Sequence, residues 1–364
     1  MRTFAFLLHP LAVEDVYRKF SWARYLPVQW VEKGLTFCPP FKLSEVKGLR
    51  SPFGSAAGYF ISVMLTSRQM LELPAQFVLQ RIIQAGRLAE RLGAGVVGLG
   101  AFTSVVGDAG ITVARSLRIA VTTGNSLTAA TAIAGTREAA RLMGVDLKKS
   151  LVAVVGATGS IGKAVCRILP AEVRHLLLVA RDPARLEKAA EEVRFLAGNE
   201  VSVDCTSEVK KAVQKADVIL ATSSSPDALI YPEDLKPGAI VCDIARPRDT
   251  SERVARERDD VLVFDGGLLE MPGDSNLGFN VGLPPRLVFA CMAETMILAM
   301  EGRRESYSLG RELDPEKIAE IYSLALKHGF KLAELRYNEQ VLDAAHCLAV
   351  RRRAFQRRAS LQPA

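Results

Sequence analysis

The chain has 364 residues, 49% hydrophobic and 24% charged, with a net charge of +7 at pH 7. This is the composition of an ordinary globular protein, long enough for one large domain or two smaller ones. Charges or glycines interrupt every apolar stretch short of 18 residues, which excludes a spanning helix. The six cysteines form no C-x-x-C pair and the four histidines are scattered, so neither a metal site nor a disulfide framework is indicated.

The N-terminal "MRTFAFLLHPLAVEDV" has a basic residue and a short apolar run. His9-Pro10 and Glu14-Asp15 end that run without a small-residue cleavage site, so it reads as a first strand and not as a signal peptide. With reduced thiols, this points to the cytoplasm. Residues 1–120 mix strand-like runs, "FAFLL" and "AGVVGLG", with a helical pattern over 74–92. Proline stands near the start of that pattern and Gly93 just past its end. We read 1–125 as a substrate-binding α/β domain. A second helix, 126–143, follows "TTGN" and links it to the next domain.

The middle of the chain has the clearest pattern. "LVAVV" (151–155), "LLLVA" (176–180), "VSVD" (201–204), "VILAT" (218–222), "AIVCD" (239–243) and "VLVF" (261–264) are short apolar runs. Helix-like segments such as "PARLEKAAEEVRFLA" separate several of them. Apolar strands alternating with amphipathic helices predict a doubly wound parallel sheet over 145–275. The fold class is α/β, with a Rossmann-like domain over 126–282. Downstream, helices are expected at 285–301 and 315–328 within a C-terminal helical segment, 283–364. Its tail "RRRAFQRRA" is either a solvated helix end or a landing patch for an acidic partner. No nucleic-acid motif accompanies the charge.

"VAVVGATGSIGKAV" reads as strand, glycine turn and helix, with Gly156, Gly159 and Gly162 in G-x-x-G-x-x-G spacing. Such a turn lets backbone N–H groups approach a pyrophosphate at a helix N-terminus, so Gly156, Thr158, Gly159, Ser160, Ile161 and Gly162 are expected to bind a dinucleotide. After the second strand comes "VARDPARLEK". Arg181 and Arg185 would hold the 2′-phosphate of NADPH. Asp182 could instead support NAD, and Arg185 could simply be solvated. Thr222 and Ser223, in "ATSSSP", follow the fourth strand on the nicotinamide side.

"GLPPRLVFACMAETM" places Cys291 inside an apolar run, where a cysteine is either a core filler or a nucleophile. The order and spacing of "GLGAFTSVV", "TTGNSLTAA", "GATGSIGKAVCR", "RLVFACMAETMILAMEG" and "KHGF" resemble the long-chain acyl-[acyl-carrier-protein] reductases, over roughly residues 4–330. "DIARPRD" also resembles glutamyl-tRNA reductases and shikimate dehydrogenases, which implies a shared cofactor domain. The reductase resemblance implies that Cys291 is a nucleophile taking a fatty acyl group from a thioester, with acyl carrier protein as the expected donor. NADPH would then reduce the acyl-enzyme to an aldehyde. The basic surplus suits an acidic carrier; a membrane surface or an aldehyde-consuming enzyme stands as a further contact, and oligomeric state is left open.

No histidine or lysine stands in helical register with Cys291. Glu294, at i+3, would oppose a thiolate. His9, His328 and the polar groups of "TTGN" are the candidates for activating the thiol. Thr123, Asn125 and Thr128 are candidate oxyanion donors, or Asn125 caps the 126–143 helix. In the family pattern a histidine can occur where this chain has Leu127, which implies a different proton route or substrate. Cys38 is the rival nucleophile, while Cys166 and Cys242 read as core. Other readings are a dehydrogenase of a small hydroxy or amino acid and a non-catalytic dinucleotide-binding protein.

Overall fold

The computed structural model describes residues 2–361 except 18 and 339. The chain forms two compact units. Unit 1 comprises Met1–Leu127, Leu269–Arg311 and Glu320–Lys331; unit 2 comprises Thr128–Leu268, Glu312–Ala319 and Leu332–Ala364. The expected C-terminal segment 283–364 is therefore shared between the units.

In unit 1 the elements run β1 (Arg2–Leu8), α1 (Val13–Tyr17), α2 (Val28–Phe37), β2 (Lys42–Ser51), β3 (Gly54–Ser62), α3 (Ser67–Glu72), α4 (Ala75–Arg91), β4 (Val96–Leu99), α5 (Ile111–Ser116) and β5 (Ala120–Thr122). Then α6 (Asn125–Met143) begins. The sheet order is β2-β3-β1-β4-β5, with β2 antiparallel to β3 and the other pairs parallel.

The alternation along β1 explains the layering. Phe4 and Phe6 enter one apolar core, and Ala5 and Leu7 enter another on the opposite face. The second core takes Val78, Ile82, Ala85 and Ala89 of α4, spaced as one helical stripe. The expected 74–92 helix is thus present, with its stripe against the sheet.

Unit 2 runs β6 (Leu151–Val155), α7 (Ser160–Ile168), β7 (His175–Val179), α8 (Pro183–Ala197), β8 (Ser202–Thr206), α9 (Val209–Lys215), β9 (Val218–Ala221), β10 (Ile240–Asp243), α10 (Arg253–Glu257) and β11 (Leu262–Asp265). Its sheet is parallel throughout, in the order β11-β10-β9-β6-β7-β8. The order reverses beside β6, where open α/β sheets form their ligand crevice at the carboxyl ends of the strands. The Rossmann-like α/β class expected from the sequence is present.

Two short strands, β12 (Leu268–Glu270) and β13 (Leu287–Phe289), precede α11 (Ala290–Glu301), and α12 (Pro315–Lys327) and α13 (Ala344–Leu361) follow. The helix expected from 285 begins only at Ala290. Arg286 has a left-handed φ of 68° directly after Pro284-Pro285, which prevents a helix from propagating there. α11 is buried along nearly its whole length and packs on β1, β3 and β4.

Candidate active site

In unit 1, the late start of α11 makes Cys291 its second residue, half-buried, with Phe289 at the N-cap. The turn before α6 lies directly against it. A Cβ on Gly124 would fall 2.2 Å from the Cys291 Cα, and Gly124 has φ +73°, so glycine is required twice over. The structure thus brings the "TTGN" turn and the cysteine together.

Glu294 holds that turn in place. It is fully buried, and both its oxygens are occupied. The Thr122 hydroxyl donates to Oε1, the Ser308 hydroxyl donates to the same oxygen at 2.7 Å, and the Leu127 N–H donates to Oε2 at 2.8 Å. Ser126 Oγ lies 2.7 Å from Ser308 Oγ and extends the network. Burial pushes the Glu294 carboxyl above its ordinary range, and the surrounding donors oppose that rise. Glu294 therefore satisfies an orphan N–H of α6, that of Leu127, from another helix. From sequence alone Glu294 is only a charge near a thiol, and nothing there marks Ser308 as its partner.

The expected oxyanion donors divide. The Thr123 hydroxyl gives its proton to the Ser308 carbonyl at 2.5 Å and accepts from the Asn125 N–H at 3.4 Å, so it cannot also donate to substrate in this arrangement. Asn125 opens α6 and is buried; Thr128, assigned to unit 2, stands one turn later on the same helix. Leu127, at the position where the family pattern can carry histidine, is fully buried in the apolar core shared with α11.

Both candidate histidines are hydrogen-bonded within unit 1. His9 Nδ1 bonds the Pro10 carbonyl at 2.9 Å, and Nε2 accepts from the Phe102 N–H at 3.1 Å. Burial lowers its pKa to about 4, leaving a neutral ring with both nitrogens occupied. His328 bonds Ser51 Oγ at 2.8 Å and Glu301 Oε1 at 2.6 Å. Glu301 ends α11, ten residues beyond Cys291, or about 15 Å along the helix at 1.5 Å per residue.

Burial pushes the Cys38 thiol up despite Arg81 nearby, and Cys166 and Cys242 are fully buried, with Cys242 raised to about 12.

In unit 2, Gly156 has φ +87°, and a Cβ there would fall 2.8 Å from the Ser223 backbone nitrogen. One on Gly162 would meet the Gly156 carbonyl oxygen at 2.2 Å. Gly159 caps α7, and Thr158, Gly159, Ser160 and Ile161 remain at least partly accessible at its N-terminus. A backbone-lined cradle at a helix N-terminus fits the pyrophosphate of a dinucleotide. Asp182 caps α8, one carboxylate oxygen accepting from the Ala184 and Arg185 N–H groups at 3.1 and 3.2 Å. Arg181 and Arg185 are exposed.

Thr222 and Ser223, expected on the nicotinamide side, are hydrogen-bonded within unit 2. The Thr222 hydroxyl donates to the Val155 carbonyl at 2.8 Å, and the Ser223 hydroxyl and N–H donate to Asp249 at 2.5 and 2.9 Å. Their protons point into the protein, and the Ser223 backbone lies against the glycine turn. Burial, then the neighbouring Asp243 carboxylate, lifts Asp249 to about 7. The basic tail is also partly engaged. Arg353 pairs with Asp259 at 3.4 Å, Arg357 with Asp260 at 3.2 Å, and Arg358 donates to the Pro237 carbonyl.

Residues 137–265 match the family described as Shikimate / quinate 5-dehydrogenase. The chain is 34% identical to Aminotransferase PigE of a Serratia species over 268 residues, 71% of this chain and 30% of that protein. It is 28% identical to the long-chain acyl-[acyl-carrier-protein] reductase of Synechococcus elongatus over 335 residues, 87% of this chain and 94% of that protein. Against a glutamyl-tRNA reductase of Methanococcus maripaludis, identity is 26% over 195 residues, 53% of this chain and 49% of that protein. The chain thus spans less than a third of PigE and about half of the glutamyl-tRNA reductase. Together these likenesses support a relationship to the NAD(P)-dependent oxidoreductases. Of these relatives, the acyl-[acyl-carrier-protein] reductase is the one matched over nearly its whole length.

Proposed function

We propose that the protein reduces long-chain fatty acyl thioesters to aldehydes through an acyl-enzyme on Cys291, using NADPH. The observation that carries this reading is the placement of Cys291 in the first turn of α11, against the Gly124 turn. A helix N-terminus favours negative charge, which would favour the thiolate form of Cys291.

The Cys291 sulfur attacks the thioester carbonyl carbon, a new C–S bond forms, and the carrier thiolate departs. N–H groups of the first turn of α11, with the side chain of Asn125, are proposed to stabilise the carbonyl oxygen as it becomes negative. The dinucleotide, when bound, supplies the hydride that takes the acyl group to the aldehyde level. Collapse of the cysteine-bound tetrahedral adduct then breaks the C–S bond and returns the thiolate. Glu294 holds the turn and helix in register, while Gly156, Thr158, Gly159, Ser160, Ile161 and Gly162 hold the pyrophosphate and Arg181 and Arg185 the 2′-phosphate. Acyl carrier protein as donor and a cytoplasmic setting belong to the same proposal.

The test is mass spectrometry of the protein after incubation with an acyl thioester and no NADPH. The expected result is an acyl adduct on Cys291 that is absent from Cys291→Ser. No adduct, with turnover of a small polar hydroxy acid, would replace this reading with a dehydrogenase of the kind named by the match over 137–265.

A further inference from the structure

Within unit 1, Trp22, Tyr25, Leu26, Val28, Trp30 and Phe37 stand 63, 83, 38, 49, 70 and 75% exposed within sixteen consecutive residues. A group of large apolar side chains this dense marks an interaction site more often than it marks ordinary surface. The segment is itself well anchored. Ala23, Val31 and Leu35 are buried in a small core with Val13, Val16 and Met64. On α2, Trp30, Lys33 and Phe37 lie at i, i+3 and i+7, away from the buried Val31 and Leu35. Exposed cations, Lys19, Arg24 and Lys33, are interleaved with the aromatics, and between residues 19 and 37 the one acid is Glu32.

We propose that residues 19–37 form a docking face for an anionic lipid bilayer. Tryptophan and tyrosine suit the headgroup level, where an apolar ring and a polar edge are both satisfied. Flanking cations add attraction to anionic lipid. A protein partner fits less well, because lysine is depleted at the centres of protein interfaces, and Lys33 stands between Trp30 and Phe37 on the exposed face. At a bilayer the same lysine extends its ammonium to the phosphates while its stem packs among acyl chains. The contact is peripheral, since no helix among the described residues is long and apolar enough to cross a membrane. The proposal is independent of the chemistry assigned to Cys291.

The chain's two tryptophans are Trp22 and Trp30, so intrinsic tryptophan emission reports on this segment alone. Vesicles of phosphatidylcholine, with and without phosphatidylglycerol, are titrated into the full chain. Expected are a blue shift, protection from acrylamide quenching, and binding about tenfold or more tighter to the anionic vesicles. Phe37→Ser with Lys33→Glu should weaken that binding at least tenfold at unchanged far-UV circular dichroism, whereas Arg352→Glu, on α13, should leave it unchanged. Emission unmoved by either vesicle overturns the proposal, as does binding that survives the double variant. Self-association without lipid, lost in the same variant, would overturn it in favour of a second copy of the chain.

Discussion

Removing the Glu294 carboxylate is the most direct test of how the cysteine is held. In Glu294→Ala the Thr122 hydroxyl, the Ser308 hydroxyl and the Leu127 N–H all lose their acceptor in a fully buried site. Each orphaned buried donor costs about 1–3 kcal/mol, partly offset because a desolvated carboxylate is also removed. A net loss of about 3–4 kcal/mol follows. At roughly 2–4 °C per kcal/mol for a domain of this size, thermal unfolding should fall by about 10 °C. Glu294→Gln keeps the size and one acceptor, but turns an amide donor toward one of the three donors, so a loss of about 1–3 kcal/mol is expected. Circular dichroism melts measure stability, and peptide mapping after timed iodoacetamide treatment measures Cys291 access. Both variants should also change the alkylation rate of Cys291, because the turn against it is released. If Glu294→Ala melts within a degree or two of the parent, the carboxylate does not pin the turn and the positioning argument fails.

Asp249→Asn addresses unit 2. With the folded carboxyl at about 7 against an ordinary 3.8, the folded state binds a proton that the unfolded chain has released between those values. The stability from this group is complete below about pH 4 and is lost as pH rises through 7. Urea midpoints of the parent should show that decline, and Asp249→Asn should flatten it; an unchanged slope would show that Asp249 does not carry it. The cofactor assignment predicts that Arg181→Ser with Arg185→Ser weakens NADPH binding by about tenfold or more, at least 1.4 kcal/mol, and leaves NADH unchanged. NADPH fluorescence titration measures this, and an unaltered affinity would place the 2′-phosphate elsewhere.

Much of the architecture could be read from the sequence because it is written in local periodicity. The apolar runs of unit 2 became β6 to β11 with boundaries shifted by one or two residues, and "PARLEKAAEEVRFLA" became α8. The glycine spacing placed the turn because tight backbone approach leaves no room for a Cβ, a constraint visible in residue identity alone. The end of the 285–301 pattern was also read correctly. Its start was not, because the apolar residues continue across Arg286 and only the backbone conformation there marks the break.

What the tertiary structure decided is where polar side chains send their protons. Thr123, Thr222 and Ser223 looked available to ligands, yet each donates into the protein. Their partners, Ser308, Val155 and Asp249, are distant in sequence, so no spacing rule reaches them. His9 and His328 are likewise engaged by partners that folding supplies. Glu294 shows the converse, a residue set aside on sequence grounds that becomes the acceptor for a helix start 167 residues away. Periodicity and steric exclusion act between near neighbours and survive in the sequence; hydrogen-bond satisfaction in a buried site is settled only when remote segments meet.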